Sequence, residues 1–255
     1  MSIIVKISFL FIFGSVFGWI LELFYRKWFG AHNDDHHWIN PGFLVGPWLP
    51  IYGFGLTSLY VMGQFPVREN VDGIGFKLLV FGLMAIAMTV IELIAGLIFI
   101  KGLKVRLWDY TKERFNYKGI ICPKFSLFWA GLGAIYYFLI HPHILKILQW
   151  LGANMAFCLV IGFFYGVFFM DLVYSFSLAS KLRSFANEYK IVLKYEELKS
   201  HIRQMARARK AKVRFLFALG NRKNILATLT EYVMRLECGI GEKVSEFKEE
   251  IKNNN

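Results

Sequence analysis

The sequence predicts an all-α, polytopic transmembrane helical bundle of about five spans, running from an outside N-terminus to an inside C-terminus and followed by a cytoplasmic, basic helical tail. Three observations carry this. The first is composition: of 255 residues, 56% are hydrophobic and 19% charged, more apolar than a soluble domain, whose apolar usage is close to half. The second is clustering. Apolar runs of about twenty residues, the length that crosses a hydrocarbon core as helix, recur through positions 1–178, whereas 181–255 holds most of the charge and no such run. The third is the placement of Lys and Arg, developed below.

The expected spans are 4–25, 49–63, 78–100, 125–140 and 155–174, which make 1–178 a transmembrane domain and 181–255 a separate tail. The first run begins with Lys6 as its one positive charge and continues through Glu22 to Tyr25 without a small-residue cleavage site. It therefore reads as a retained helix rather than a signal peptide. Runs 49–63 and 125–140 are short for a core of about 30 Å, so either they extend by a turn into their flanks or one of them is re-entrant.

Positively charged loops resist translocation, so their distribution sets orientation. The tail from Lys181 onward holds 17 of the 30 basic residues and puts the C-terminus inside. Counting back through five spans also puts inside Arg26 and Lys27, and the loop carrying Lys101, Lys104, Arg106, Lys112, Arg114, Lys118 and Lys124. Only Lys6, Arg68, Lys77 and Lys146 are left outside.

A weak internal repeat runs through the first half. A helix with one carboxylate (Glu22 in GWILELFY, Glu92 in VIELIAGL) leads to a polar loop and then to NPGFLVGP at 40–47 or NYKGIICP at 116–123. Asn40 corresponds to Asn116, Gly42 to Gly119 and Pro47 to Pro123, and two spans separate the copies, which makes the repeat parallel. A carboxylate inside a spanning helix is costly unless paired, hydrated or protonated. Glu22, Glu92 and Asp171 fall at similar depth near the inner leaflet, so they are candidates for a cation site, a proton relay, or a polar cluster closed by Arg106, Trp108 or Tyr110. Snorkelling to the interface is the alternative for Glu22 and Asp171.

The segment from Asn40 through Gly42, Pro47, Pro50, Tyr52 and Gly53 to Gly55 contains three prolines and four glycines. Such a stretch removes backbone donors and allows close approach, as a broken or re-entrant helix requires. An ordinary Pro-started helix with Trp48 and Tyr52 as interfacial anchors fits the same pattern. Trp108, Asp109 and Tyr110, with Asn116 beyond them, form an aromatic and turn-rich loop able to cap the carboxylates or anchor at the interface. His36, His37, Asp34 and Asp35 are weak metal candidates, because no spacing selects three or four convergent ligands. Cys122, Cys158 and Cys238 have neither CxxC spacing nor an even count and read as free thiols.

GWxxE at 18–22, NxGFLxGPxxPIYGFG at 40–55, IE at 91–92 and WDY…FNxxGIIC at 108–122 together resemble the CmpB-like ABC-transporter type IV permeases, integral membrane proteins of bacteria. The resemblance covers about positions 10–135; Pro41 and Thr111 depart from it, and the long tail looks individual to this chain. It implies a multi-pass protein of a bacterial plasma membrane and a transport-related role, either as a permease-like subunit or as a carrier.

No Walker A motif is present, so an ATP-driven version needs a separate ATPase subunit. The alternatives are a scaffold that recruits a cytoplasmic partner through its tail, or an inner-leaflet lipid enzyme with Glu92 or Asp109 as base and His36 or His37 assisting. The enzyme reading is the weaker, since no GxSxG-type nucleophile motif exists and nothing indicates a cofactor. The tail repeats apolar residues at three- or four-residue steps (Leu182, Phe185, Tyr189, Val192, Tyr195 or Leu198, Ile202, Met205), with breaks at Gly220-Asn221 and 239–241. Its 17 basic against 9 acidic residues, a net charge near +8, suit anionic inner-leaflet lipid. Nucleic acid is not expected, because no binding motif accompanies the charge.

Overall fold

Ser2 starts the first helix by accepting the Val5 amide on its hydroxyl, and Arg26 and Lys27 end it where the helix dipole favours cations. This helix, α1 (Ile3–Phe29), opens a computed structural model that describes residues 2–30, 33, 36–64, 74–189, 191–208, 229 and 231–234. Among these follow α2 (Pro50–Gly63), α3 (Ile74–Leu97) running on as a π-turn (Ile98–Leu103), and α4 (Pro123–Ile135). A second π-turn (Tyr136–Ile140) joins α4 to α5 (His141–Ala153), α6 (Phe157–Glu188) and α7 (Tyr195–Ala208) follow, and residues 229 and 231–234 are also helical. Among the described residues two two-residue strands, β1 (Val105–Arg106) and β2 (Leu193–Lys194), interrupt the helical fold.

Among the described residues, four helical stretches are long and apolar enough to cross a membrane: Ile3–Phe29, Leu78–Gly102, Pro123–Ala153 and Phe157–Glu188. Their outer faces carry bare hydrophobics such as Leu79, Ile86, Leu127, Phe163 and Met170, as lipid-facing surfaces do. The fourth expected span does not stop at Ile140. Helix continues from Pro123 to Ala153 through the second π-turn, with Pro142 two residues after it, where the hydrogen-bond ladder has already shifted register. By contrast α2 has 14 residues, about 21 Å of helix, well short of a hydrocarbon core.

Contacts fix the relative directions. Phe11 stacks edge-on against Phe54, while Gly18 lies under the Tyr52 ring, so α1 and α2 are antiparallel. Gly55 faces Met88, and Thr89 Oγ1 donates to Ser126 Oγ at 3.1 Å, which packs α3 against α2 and α4. Tyr165 and Phe168 of α6 flank Phe11, and Tyr165 donates to the Ser8 carbonyl. Helices α1, α3 and α6 therefore run toward one end of the bundle and α2 and α4 away from it. The 30–49 and 98–122 connections and the exit of α6 all meet at that end. Leu10, Leu59, Tyr60, Met84, Met88, Tyr136, Ile144 and Leu148 form the core.

At the shared end β1 pairs in parallel with β2, with Val105 opposite Leu193 and Arg106 opposite Lys194. Val105 and Leu193 are buried, and the Leu193 amide donates to the Lys104 carbonyl at 3.0 Å. The chain leaving the last spanning helix is thus bolted to the loop between α3 and α4. Residues 1–194 form one compact unit and 195–255 a second. In the second, Lys199 pairs with Glu196 at 2.9 Å, and Tyr232 donates to Glu197 at 3.3 Å. The tail breaks expected at Gly220 and 239–241 lie outside the described residues.

Candidate functional site

Glu92 sits on α3, 2% exposed, at the centre of the contact between α3, α4 and the 98–122 loop. Tyr110 donates to one carboxylate oxygen at 2.9 Å and the Trp129 indole to the other at 3.0 Å. Both donors are neutral, and among the described residues no Lys or Arg is in ion-pair contact with it. Glu22 on α1 is neutralised differently: Arg26, one turn on, holds Oε1 at 3.0 Å, and the Tyr52 hydroxyl donates to Oε2 at 3.1 Å. Tyr52 and Trp129 pack with ring centroids 5.4 Å apart. The order Arg26, Glu22, Tyr52, Trp129, Glu92, Tyr110 is therefore one unbroken series of side-chain contacts joining the two hairpins. Burial, then the adjacent Glu92 carboxylate, pushes the Tyr110 phenol well above its usual range, so it stays a donor.

Close approach at the α1–α2 seam lets Tyr52 reach Glu22. A Cβ on Gly18 would fall on the Tyr52 ring, and one on Gly53 would meet the Ser15 hydroxyl and the Phe11 carbonyl. Both positions need glycine for space rather than for backbone freedom.

Asp171 does not join this series. It accepts the Val45 amide at 3.0 Å, the Gly46 amide at 2.7 Å, the Trp48 indole at 2.7 Å and the Ser175 hydroxyl at 2.9 Å. It is the anchor that satisfies the irregular 40–49 backbone from α6. Asn40 does the same from within: its amide donates to the Leu44 and Val45 carbonyls, and its oxygen accepts Gly42 N and the Trp19 indole. Phe43, Leu44 and Trp48 are buried, so protein covers much of this non-helical backbone, while Val45 and Gly46 are half-buried and Pro47 is exposed. Pro50 rather than Pro47 takes the first helical position, matching Pro123 at the start of α4. Gly55 packs on Met88.

Asn116 repeats the role of Asn40. Its oxygen accepts Gly119 N at 2.9 Å while its amide donates to the Thr111 and Glu113 carbonyls. Trp108 donates to the Ile120 carbonyl, and Arg106 pairs with Asp109 at 2.8 Å, so neither touches Glu92. Asp109 also holds Lys194 at 3.1 Å, tying β2 to the loop. Burial alone would raise Asp109, but hydrogen bonds from Thr111, Lys194 and Arg106 outweigh it and hold the carboxyl at about 2. This clasp is in place above the ordinary Asp range and is lost as pH falls toward 2.

The His36 ring bonds the Lys27 carbonyl at 2.8 Å, and the His37 amide donates to Asn33. Asp34 and Asp35 lie outside the described residues, and among those described no three His, Cys, Asp or Glu are grouped to hold a metal. Nothing in the sequence singles out Trp129, Ser175 or Lys194. An indole in an apolar helix, a serine one turn past Asp171 and one lysine in a basic tail carry no one-dimensional signal.

A family model described as "Putative ABC-transporter type IV" matches residues 9–176. No curated protein and no solved structure matches the chain.

Proposed function

This chain belongs to the ABC-transporter type IV family, and from that premise we propose that its series of contacts from Glu22 to Tyr110 is the coupling element of a transport protein of the bacterial plasma membrane. The chain is a multi-pass membrane protein of a transport-related family. The observation that carries the finer reading is the unequal treatment of the two acids. Glu22 has a guanidinium on it, whereas Glu92 is buried on neutral donors alone. A carboxylate so placed exchanges its charge for a proton or small cation at lower cost than one already paired. Glu92 is then the group that changes state, and Trp129 and Tyr52 connect that change to the α1–α2 hairpin.

Energy from ATP would come from a separate ATPase subunit. The orientation proposed is the one with the shared loop end inside, where Lys112 and Arg114 lie. In that orientation the tail beyond 181 faces anionic inner-leaflet lipid. In intact cells, a single cysteine at Glu69 is expected to react with an impermeant maleimide and one at Lys112 is not; labelling at Lys112 would reverse the topology.

The Glu92 reading is tested by two substitutions. In Glu92→Gln the amide can donate to the Tyr110 hydroxyl and accept from the Trp129 indole, so both bonds survive while the charge does not. The variant is expected to stay monodisperse in detergent, within about 1 kcal/mol of the parent, yet fail to complement a deletion strain. Glu92→Leu strands two buried donors and is expected to cost about 2–4 kcal/mol. If Glu92→Leu instead raised thermal stability and complemented fully, Glu92 would have no coupling role.

A further inference from the structure

The loop between α3 and α4 ends in a feature that the Glu92 reading leaves unused. Phe115 is 88% exposed, and Lys112, Arg114, Tyr117 and Lys118 around it are exposed as well. This tip is not loose. The Asn116 amide holds the Thr111 and Glu113 carbonyls, the Glu113 amide donates to Tyr110 O, and the Tyr117 amide donates to Ile121 O. Nor is it relaxed: Phe115 and Lys118 both have φ of +55°, a left-handed backbone that disfavours side chains bearing a Cβ. A rigid, strained turn that raises a bare aromatic ring among cations is the form of a docking element, since strain of this kind persists where surrounding structure enforces it.

The position of the tip selects what it docks on. Glu113 is ion-paired at 2.8 Å with Lys124, the second residue of α4. Lys124 shares one helical stripe with Leu127 and Phe128, which are 74% and 62% exposed and belong to the lipid-facing surface of a membrane-crossing helix. The pair therefore holds the tip over the rim of the bundle, beside lipid, and not over its axis. An apolar ring at that rim matches the acyl boundary, and the exposed cations beside it match headgroup phosphates.

We propose that the 112–118 tip is a lipid-docking element, with Phe115 inserted at the membrane interface and Lys112, Arg114 and Lys118 on anionic phospholipid headgroups. It neither requires nor tests a coupling role for Glu92. The full chain, with Cys158 and Cys238 replaced by serine, buried Cys122 retained and Phe115→Cys carrying an NBD fluorophore, is placed in nanodiscs of phosphatidylcholine with or without phosphatidylglycerol. The expected result is a blue-shifted probe, quenched several-fold more by headgroup-level spin-labelled lipid than by aqueous iodide, with the difference largest when phosphatidylglycerol is present. Replacing Lys112, Arg114 and Lys118 together with glutamine should remove the phosphatidylglycerol dependence while the chain stays folded, since all three are surface residues. A probe quenched by iodide and untouched by spin-labelled lipid in both nanodiscs would overturn the proposal and leave the tip as a surface for a cytoplasmic protein.

Discussion

Asp171→Ala is expected to be strongly destabilising, lowering stability by at least about 3 kcal/mol and the melting temperature by on the order of 10 °C. The carboxylate accepts four hydrogen bonds, three of them from the Val45 and Gly46 amides and the Trp48 indole. Hydrogen bonds to a charged group are worth about 1.5–3 kcal/mol each, and donors left without a partner at this half-buried site keep part of their desolvation cost. Asp171→Asn is not conservative here, because its amide would turn N–H groups toward other N–H donors. It is expected to recover less than half of the loss. Thermal unfolding in detergent followed by tryptophan fluorescence measures both, and a shift within a degree of the parent for either would remove Asp171 from its anchoring role.

Gly18→Ala should cost about 1–3 kcal/mol, the range for overpacking a filled seam, and Gly18→Leu considerably more. The new methyl falls on the ring and Cβ of Tyr52, atoms close to the backbone that cannot swing aside. Relief requires α2 to move away from α1, and that breaks the Tyr52–Glu22 bond. A methyl group added at Gly162 or Gly166 on α6 would meet nothing within 4 Å. Alanine there is expected to be neutral or to stabilise by about 0.5–1 kcal/mol. If Gly18→Ala behaved like Gly162→Ala, the close seam between α1 and α2 would not exist in the folded protein.

The helical character and the apolar segments were readable because their signal is long and local: twenty apolar residues outweigh any detail of packing. Glu22 and Glu92 stood out for the same reason, as single charges within such runs. What sequence could not show is rotation about each helix axis. Asp171 lies at a depth like that of the other two acids, yet α6 sits against α1 through Tyr165 and Phe168, which turns Asp171 onto the 45–48 backbone instead. In sequence Arg106 is placed to close a carboxylate cluster, but in the fold Asp109, three residues away, takes its guanidinium. The strand pair escaped notice because two residues per strand leave no period to detect. The helix through His141 and Pro142 has no clear signal either, because proline reads as a stop in sequence, whereas here a π-turn just before it lets the helix run on.

Asp171 and the amides it binds are 125 and 126 residues apart, which has a consequence for biogenesis. At synthesis rates of about 5–20 residues per second, the Val45 and Gly46 amides emerge roughly 6–25 s before the carboxylate that receives them. During that interval the first hairpin holds polar backbone that neither lipid nor any earlier helix satisfies. The nascent protein must therefore keep this stretch sheltered within the insertion machinery or wet at the membrane surface until the last helix arrives. A chain truncated before α6 would display it permanently, as a mark of incompleteness that a membrane protease could read.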